Sequence, residues 1–447
     1  MSDLDDLRVA AADKLDFQAH RAASFQTYYD NEAGIIATLS TEQRREFRNL
    51  LEESAANFCE LVVSAVAERL KVVGFRFGSD ADNELAWQLW QANKMDADSE
   101  LLHTDALVMG SSFLLVQPDP DSGVGVSITV ESAMQACVLY EAGNRRKRVA
   151  GYKRFADHWG GHATEVLITP DEIVTWHPDG TAPEIARNPA GVVGLVEVAP
   201  QPRTLKPPRS ELESVATIQD RINTTLWNRL VATDYAAFRQ IWASGVKLNR
   251  SVVKTDDGES VRYTSPFETG ADRLLIAENP DARFGSIPES TLRGYLDSVE
   301  QDVNMISAIS QTPPHYFLGR VVNLAADAIR AAETGLVAKI GRRALHIGEA
   351  DEEAMRIALS LVGSPAAANL AAEVVWADFE TRSLGQLTDS LVKMRTLGVP
   401  VEVLWERYGA TPQEIDRWRE LRAAELEDPE PPAPEPSPPT PGRLTGR

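Results

Sequence analysis

The chain is poor in the features that mark secreted, membrane-spanning and redox-active proteins. Only two of its 447 residues are cysteine, Cys59 and Cys137, and both lie in patterns typical of buried, reduced thiols. No apolar run approaches the roughly 18 residues that a membrane-spanning helix needs. The opening residues, MSDLDDLRVAAADKLD, lack the basic and apolar regions of a signal peptide. These absences favour a protein that acts where it is made, or in an assembly built there.

The sequence also lacks the common motifs of nucleotide and catalytic sites. It contains no phosphate-binding loop of the GxxxxGKS or GxxxxGKT type, no GxGxxG fingerprint and no GxSxG elbow. One cluster could hold a catalytic metal, and it comprises Asp96, Asp98, His103 and Asp105. Solvated acids in a loop or at a helix start are the simpler interpretation of it. We therefore expect no cofactor, no metal and no catalytic residues, and a structural protein instead of an enzyme.

Basic residues are in deficit. The chain has 45 Lys and Arg against 66 Asp and Glu, which gives a net charge of −21 at pH 7. A protein that binds DNA freely normally carries a basic surface patch. The acidic excess fits two interpretations, solubility alone or a surface that passes close to a polyanion without binding it. Net charge does not decide between them.

Helical and β-type patterns follow one another in the first half of the chain. Apolar spacing predicts helices over 41–70 and 83–95, and a third that begins near Ser99. From Gly110 the pattern changes to short β-rich runs, which predict an antiparallel sheet over roughly 110–180. Because helices precede the strands and do not alternate with them, the fold class is α+β. The proline-rich stretch 188–210 is expected to be irregular.

Two long helices are predicted to flank a compact insert. Ser210 can cap a helix that continues to about residue 244, where Gly245 ends it. The insert, 246–290, contains a hairpin predicted to turn at Asp256–Asp257–Gly258. A second long helix begins after Ser290 or Thr291 and ends at Pro313–Pro314.

The remainder is predicted to be mainly helical. Helices are expected over about 324–347 and from Glu349 to Val362, followed by a short strand in VVWADFE. In the last helical module, Thr411 and Glu414 are placed to form a capping box around Pro412. From residue 427 the composition is proline-rich and polar, which predicts disorder.

The order of these segments resembles the portal proteins of long-tailed, double-stranded-DNA phages, in particular those of phages that infect actinobacteria. The likeness is carried first by NFCELVVSAVAERLKVVGFRF and AWQLWQANKMDADSELLHTDALVMGSSFLLVQP. It is carried second by the succession helix, small insert, helix, TPPHYFLG and NLAADAIRAAE. The resemblance covers about residues 25–425.

This resemblance implies a portal fold with named regions. They are, in chain order, an N-terminal arm (1–24), a helix-rich wing with the antiparallel β region (25–207), a first stem helix (208–244), a small α/β clip (245–290), a second stem helix (291–311), a tunnel loop (312–323), a long helix (324–348), a helical crown (349–426) and a disordered proline-rich tail (427–447).

The resemblance also implies roles for three sets of side chains, although each residue could equally be part of a solvated face or a local ion pair. The acidic wall of a DNA channel would comprise Glu211, Glu213, Asp220, Asp297, Glu300 and Asp302. The tunnel loop would present His315, Tyr316, Arg320 and Asn323. The clip would dock the packaging motor and neck proteins through Lys247, Arg250, Lys254, Arg262, Arg273 and Arg283.

The partners that the resemblance implies are those of a virion component. The chain would form a homo-oligomeric ring of about twelve subunits at one capsid vertex, assembled in the host cytoplasm. Double-stranded DNA would pass through it, and it would meet the terminase ATPase, the major capsid and scaffold proteins, and the neck or head-completion proteins. Two alternatives stay open: another head-completion or scaffold-binding phage protein, and a metal-dependent nuclease or hydrolase.

Overall fold

The computed structural model describes residues 2–32, 55–156, 163–237, 241–245, 249–255, 258–264, 281, 283–286, 292–318, 326–380 and 384–427. The chain divides into two units. The larger unit comprises 1–32, 57–216 and 307–447, and the smaller one comprises 33–56 and 217–306. The predicted tail lies outside the described residues from 428 onward.

The described helices are α1 (Ser2–Tyr29), α2 (Phe58–Ala67), α3 (Asp80–Ala92), α4 (Met95–Met109), α5 (Ala216–Ala237), α6 (Arg293–Ser310), α7 (Pro314–Leu318), α8 (Ala326–Leu361), α9 (Leu384–Thr396), α10 (Val401–Tyr408) and α11 (Pro412–Glu427). Two short 3₁₀ helices span Glu211–Ser214 and Pro365–Ala368. The described strands are β1 (Val72–Arg76), β2 (Ser112–Pro118), β3 (Val126–Ser132), β4 (Ala136–Glu141), β5 (Asn144–Ala156), β6 (Ala163–Ile168), β7 (Glu172–Trp176), β8 (Glu184–Arg187), β9 (Leu195–Val198), β10 (Ile241–Ser244), β11 (Asn249–Thr255), β12 (Gly258–Thr264), β13 (Arg283–Ser286) and β14 (Glu373–Trp376). The mixture of helices and antiparallel strands confirms the α+β class.

The first predicted helices have different boundaries in the structure. Asn57 caps α2, because its side-chain oxygen accepts hydrogen bonds from the backbone N–H groups of Cys59 and Glu60. A continuous helix over 41–70 is therefore wrong at residue 57, and its part before residue 55 lies outside the described residues. Helix α3 begins three residues earlier than predicted, after Ser79, and α4 begins at Met95 and not near Ser99.

The β region forms two antiparallel sheets instead of the single predicted one. Strands β4 to β8 make a five-stranded meander, and β2 pairs with both β3 and β9 in a three-stranded sheet. Strand β9 lies in the stretch 188–210 that was expected to be irregular. Gly194 allows β9 to approach β2 closely, since a Cβ atom there would lie 2.3 Å from the carbonyl oxygen of Val116.

Helix α1 packs against the five-stranded sheet, so the predicted arm 1–24 is a docked helix. Ala11 and Leu15 are fully buried in one cluster with sheet residues Cys137, Ala150, Tyr152 and Leu167. Burying a side chain of the size of leucine contributes about 1.5–3 kcal/mol. The Cys137 thiol donates to the carbonyl of Ala11, 3.3 Å away. The sheet face and α1 therefore form one core.

Helix α8 is a single helix of 36 residues where two were predicted. It passes through Gly348 without a break, so separate helices over 324–347 and 349–362 are wrong. Gly348 lies against β14, where a Cβ atom would come 3.5 Å from the indole nitrogen of Trp376. This is an ordinary van der Waals distance, and the glycine does not end the helix. Strand β14, predicted in VVWADFE, pairs antiparallel with β1.

The smaller unit contains most of the two long helices and the strands between them. Strands β11 and β12 pair antiparallel with Thr255 opposite Gly258, which confirms the predicted hairpin. The predicted turn residues 256 and 257 lie outside the described residues. The first long helix does not reach residue 244, because Ile241–Ser244 is strand β10 and pairs with β13. Isoleucine and tryptophan favour strands, and the β13 partner lies too far along the chain for a local pattern to reveal it.

The last module, α9 to α11, is helical as predicted. The Glu414 carboxylate accepts from the backbone N–H of Thr411 at 2.9 Å, and the Thr411 hydroxyl accepts from that of Glu414 at 3.4 Å. These bonds confirm the capping box at the start of α11. Of the helices that the structure describes, none combines the length and the apolar character needed to cross a bilayer.

Candidate functional site

An ion pair joins the two long helices of the smaller unit. The Arg221 guanidinium on α5 donates to both carboxylate oxygens of Asp302 on α6, at 2.9 and 2.5 Å. The Asp302 side chain is only 9% exposed. Its hydrogen bond raises the pKa of Arg221 above the ordinary value. This two-pronged contact fixes both the separation and the register of the helices.

Exposed carboxylates lie on the same two helices. Asp297 and Glu300 are exposed on α6, three residues apart and hence on one side of the helix. Asp220 is exposed on α5, next to the buried Gln219. These three of the six predicted wall carboxylates are exposed, and their role at a channel stays a prediction.

The structure corrects the expectation for Glu211 and Asp302, because both are buried. Glu211 belongs to the 3₁₀ helix that precedes α5, and its carboxylate lies 2.8 Å from the Lys339 ammonium and 2.5 Å from the Arg343 guanidinium of α8. Burial opposes ionisation of Glu211, but the two cations outweigh it and hold the pKa of the carboxyl below its usual value. Burial lowers the pKa of the Lys339 ammonium, against the opposing effect of Glu211. Both carboxylates hold the chain together internally and are not free wall charges.

Glu213 is similarly bound within the chain. Its carboxylate lies 2.8 Å from Arg21 of α1 and 3.1 Å from Arg203, and the side chain is 31% exposed. It therefore ties α1 and the proline-rich stretch to the 3₁₀ helix.

The predicted tunnel loop, 312–323, contains the short helix α7. The Tyr316 hydroxyl accepts a hydrogen bond from Arg69 at 2.6 Å and lies 3.4 Å from the Glu333 carboxylate. The His315 imidazole lies 3.9 Å from that carboxylate. The start of the loop is thus tied to α8 and to the segment after α2. Arg320 and Asn323 lie outside the described residues.

The hairpin brings together three of the six basic residues predicted for the clip. Arg250 and Lys254 belong to β11 and Arg262 to β12, where Lys254 pairs in register with Glu259. Arg283 lies on β13 and is exposed. Lys247 and Arg273 lie outside the described residues.

The candidate metal cluster is not assembled. His103 is fully buried on α4, where its ring contacts the carbonyl of Leu70 and lies 3.9 Å from Asp351 of α8. Asp96 is exposed on the same helix. Over the described ranges, no three His, Cys, Asp or Glu side chains are grouped so that they could hold a metal ion. The nuclease interpretation of these residues is therefore not supported.

The two cysteines are buried and are not joined in a disulfide, as expected. Burial raises the pKa of the Cys137 thiol to about 12. A thiol that stays protonated at neutral pH is a poor nucleophile, so Cys137 is a packing residue.

Several residues of these contacts escaped the sequence prediction, among them Arg69, Glu333, Lys339 and Arg343. Two of them carried a local signal. Lys339 and Arg343 are cations four residues apart on one face of an amphipathic helix, and burial of that face requires a carboxylate to pair with them. Arg69 had no such signal, because its partner Tyr316 is 247 residues away.

Comparisons with known proteins cover nearly the whole chain. The family model described as phage portal protein, SPP1 Gp6-like, matches residues 12–428. The chain is 30% identical over 431 residues to the portal protein of Mycobacterium phage L5, covering 90% of this chain and 85% of that protein. It is 29% identical over 393 residues to the portal protein of Mycobacterium phage D29, covering 81% and 78%. Among solved structures, a chain from the neck of a native GTA particle is 11% identical, with a TM-score of 0.43, and the match covers 81% of this chain and 90% of that one.

Proposed function

The chain belongs to the SPP1 Gp6-like family of phage portal proteins, and from this premise we propose that its copies close into a ring at one capsid vertex, through which double-stranded DNA enters and leaves the head. As a phage portal protein it is a structural component of the virion. The match of the family model over residues 12–428 carries the proposal. The ring would contain about twelve subunits, each contributing two different patches to its neighbours.

The pair formed by α5 and α6 would line the channel as the stem. At about 1.5 Å per residue these helices are roughly 33 and 27 Å long. The Arg221–Asp302 contact would keep them side by side under load. Asp297 and Glu300, repeated in every subunit, would form negatively charged annuli that repel phosphate groups and give the DNA no place to bind.

The hairpin β11–β12 and strand β13 would belong to the clip. Arg250, Lys254, Arg262 and Arg283, with Lys247 and Arg273, would present positive charge to the packaging ATPase and later to the neck proteins.

Residues 312–323, with α7 at their start, would form the tunnel loop that faces the DNA. The wing (25–207) would contact capsid and scaffold proteins, and the crown (349–426) would lie inside the head. Assembly would take place in the host cytoplasm, and hydrolysis would be left to the separate motor.

Assembly of the purified full chain tests this proposal. Native mass spectrometry and negative-stain electron microscopy are expected to show closed rings with a central hole wide enough for a DNA duplex. Monomers or dimers at every protein and salt concentration would count against it.

Deletion of residues 246–289 tests the clip. In a packaging reaction with heads and motor, the deletion is expected to abolish motor docking and DNA uptake while rings still form. DNA uptake at the level of the intact chain would show that the motor docks elsewhere.

A further inference from the structure

A basic cleft of about 980 Å³ lies on the larger unit. It is lined by the start of β5, the proline-rich stretch 202–208, α1 and the middle of α8. Eight Lys and Arg side chains line it against three Glu. The charge of this cleft is therefore opposite in sign to that of the chain, which carries −21.

Some of these cations are already bound inside the chain. Arg148 lies 2.7 Å from Glu353 across the cleft, and Arg21 and Arg203 both contact Glu213. Three other cations of the cleft have no such partner among the described residues. Arg145, Arg146 and Lys206 are exposed, and no carboxylate of the described part of the chain lies within 4 Å of them. Their charge is thus available to a partner.

Apolar side chains lie beside these free cations. Phe17 of α1 is 66% exposed and Leu345 of α8 is 64% exposed, and both line the cleft. Exposed aromatic and aliphatic groups next to arginines are typical of the centres of protein interfaces. A nucleic-acid backbone would meet the arginines but would bury neither Phe17 nor Leu345. The occupant with matching chemistry is a polypeptide surface that carries carboxylates and apolar side chains.

We infer that the cleft receives an acidic surface of a second copy of this chain and is one half of the contact between neighbouring subunits. The inference rests on the ring proposed above. Identical copies that each carry −21 repel one another, and a local patch of opposite sign offsets this repulsion where two copies meet. A ring contact joins two different patches of the same protein, and the acidic excess supplies the complement of this basic one. Charge complementarity would also set the register of the contact.

The double variant Arg145→Glu/Arg146→Glu tests the inference in the full chain. We expect it to raise the protein concentration needed for assembly by about tenfold or more, because two attractive charges become repulsive. Lys147→Glu is the matched control. Lys147 belongs to the same strand, β5, but pairs with Glu141 at 2.6 Å and does not line the cleft. Light scattering across a concentration series measures assembly, and circular dichroism verifies that each variant is folded.

Chemical cross-linking between copies detects the contact directly. Copies grown in ordinary and heavy nitrogen are mixed, assembled and treated with a carbodiimide, which joins Lys206 to a carboxylate in contact with it. Cross-links between the two isotopic forms are expected at Lys206 and are expected to disappear in Arg145→Glu/Arg146→Glu.

Three results would overturn the inference. If the double variant forms rings with the same dependence on protein and salt concentration as the wild type, the cleft is not a subunit contact. The proposed ring itself would still stand. Unchanged assembly together with lost retention on immobilised DNA would make the cleft a nucleic-acid site. Absence of any wild-type oligomer would remove the inference and the proposed ring together.

Discussion

The Lys339 ammonium lies 2.8 Å from the Glu211 carboxylate, and the two side chains are only 2% and 5% exposed. Lys339 also donates to the carbonyl of Ser310 at the end of α6, 2.9 Å away. One buried cation therefore ties α8 to the 3₁₀ helix before α5 and to the end of α6. The positions from which the long helices extend are set by charge as well as by apolar packing.

Removal of this cation is expected to destabilise the larger unit strongly. Lys339→Met leaves Glu211 buried with Arg343 as its remaining close cation, and breaking a buried pair on one side costs about 3–5 kcal/mol. Lys393→Met is the control, since the Lys393–Asp389 pair is 73% and 63% exposed and contributes about 0.3–0.5 kcal/mol. Urea denaturation of both variants measures the difference. Equal losses would show that Glu211 does not depend on Lys339.

The contact between Arg221 and Asp302 is expected to couple α5 and α6 energetically. Arg221→Ala, Asp302→Ala and the double variant form a cycle, and we expect a coupling free energy of about 0.5–2 kcal/mol. The Arg221 side chain is 52% exposed, so solvent screens the ion pair and keeps the coupling free energy modest. Losses that simply add would mean that the ion pair does not hold the helices together.

The stability of the larger unit is expected to depend on the ionisation of Asp105. Burial, reinforced by Asp30, raises the pKa of this carboxyl from 3.8 to about 6. The folded chain therefore prefers the protonated form, and stability decreases as the pH rises through this interval. Asp105→Asn cannot ionise, so it avoids this loss of stability. The variant is expected to be more stable than wild type by roughly 1–3 kcal/mol above about pH 7, and as stable as wild type near pH 4.

Urea denaturation at both pH values provides this measurement. Asp96→Asn, exposed on the same helix, is the control. A gain of the same size at both pH values would show that Asp105 ionises freely in the folded state.

Two glycines are expected to respond in opposite ways to an added methyl group. Gly194→Ala places a Cβ atom 2.3 Å from the Val116 carbonyl oxygen, so it is expected to separate β9 from β2 at a cost of at least about 2 kcal/mol. Gly341→Ala in α8 meets nothing within 4 Å and is expected to stabilise the helix by about 0.5–1 kcal/mol. Thermal unfolding of the two variants checks both signs. A stabilised Gly194→Ala would mean that the two strands are not held this closely.

Local sequence patterns predicted much of the fold but less of the site. The hairpin of β11 and β12, the capping box at Thr411 and the strand β14 follow from nearby residues, and all three are present. The burial of Glu211 could not be predicted, because its cations lie more than 120 residues away in the chain. Strand β10 depends in the same way on β13. Long-range partners decided each of these cases.

A cryo-electron microscopy map of the assembled full chain tests the central claim most directly. The map is expected to show a closed ring in which α5 and α6 of every subunit surround the central hole, with the Arg221–Asp302 contact between them and Asp297 and Glu300 facing the hole. A ring with these two helices at its outer edge would contradict the claim, as would a protein that forms no ring.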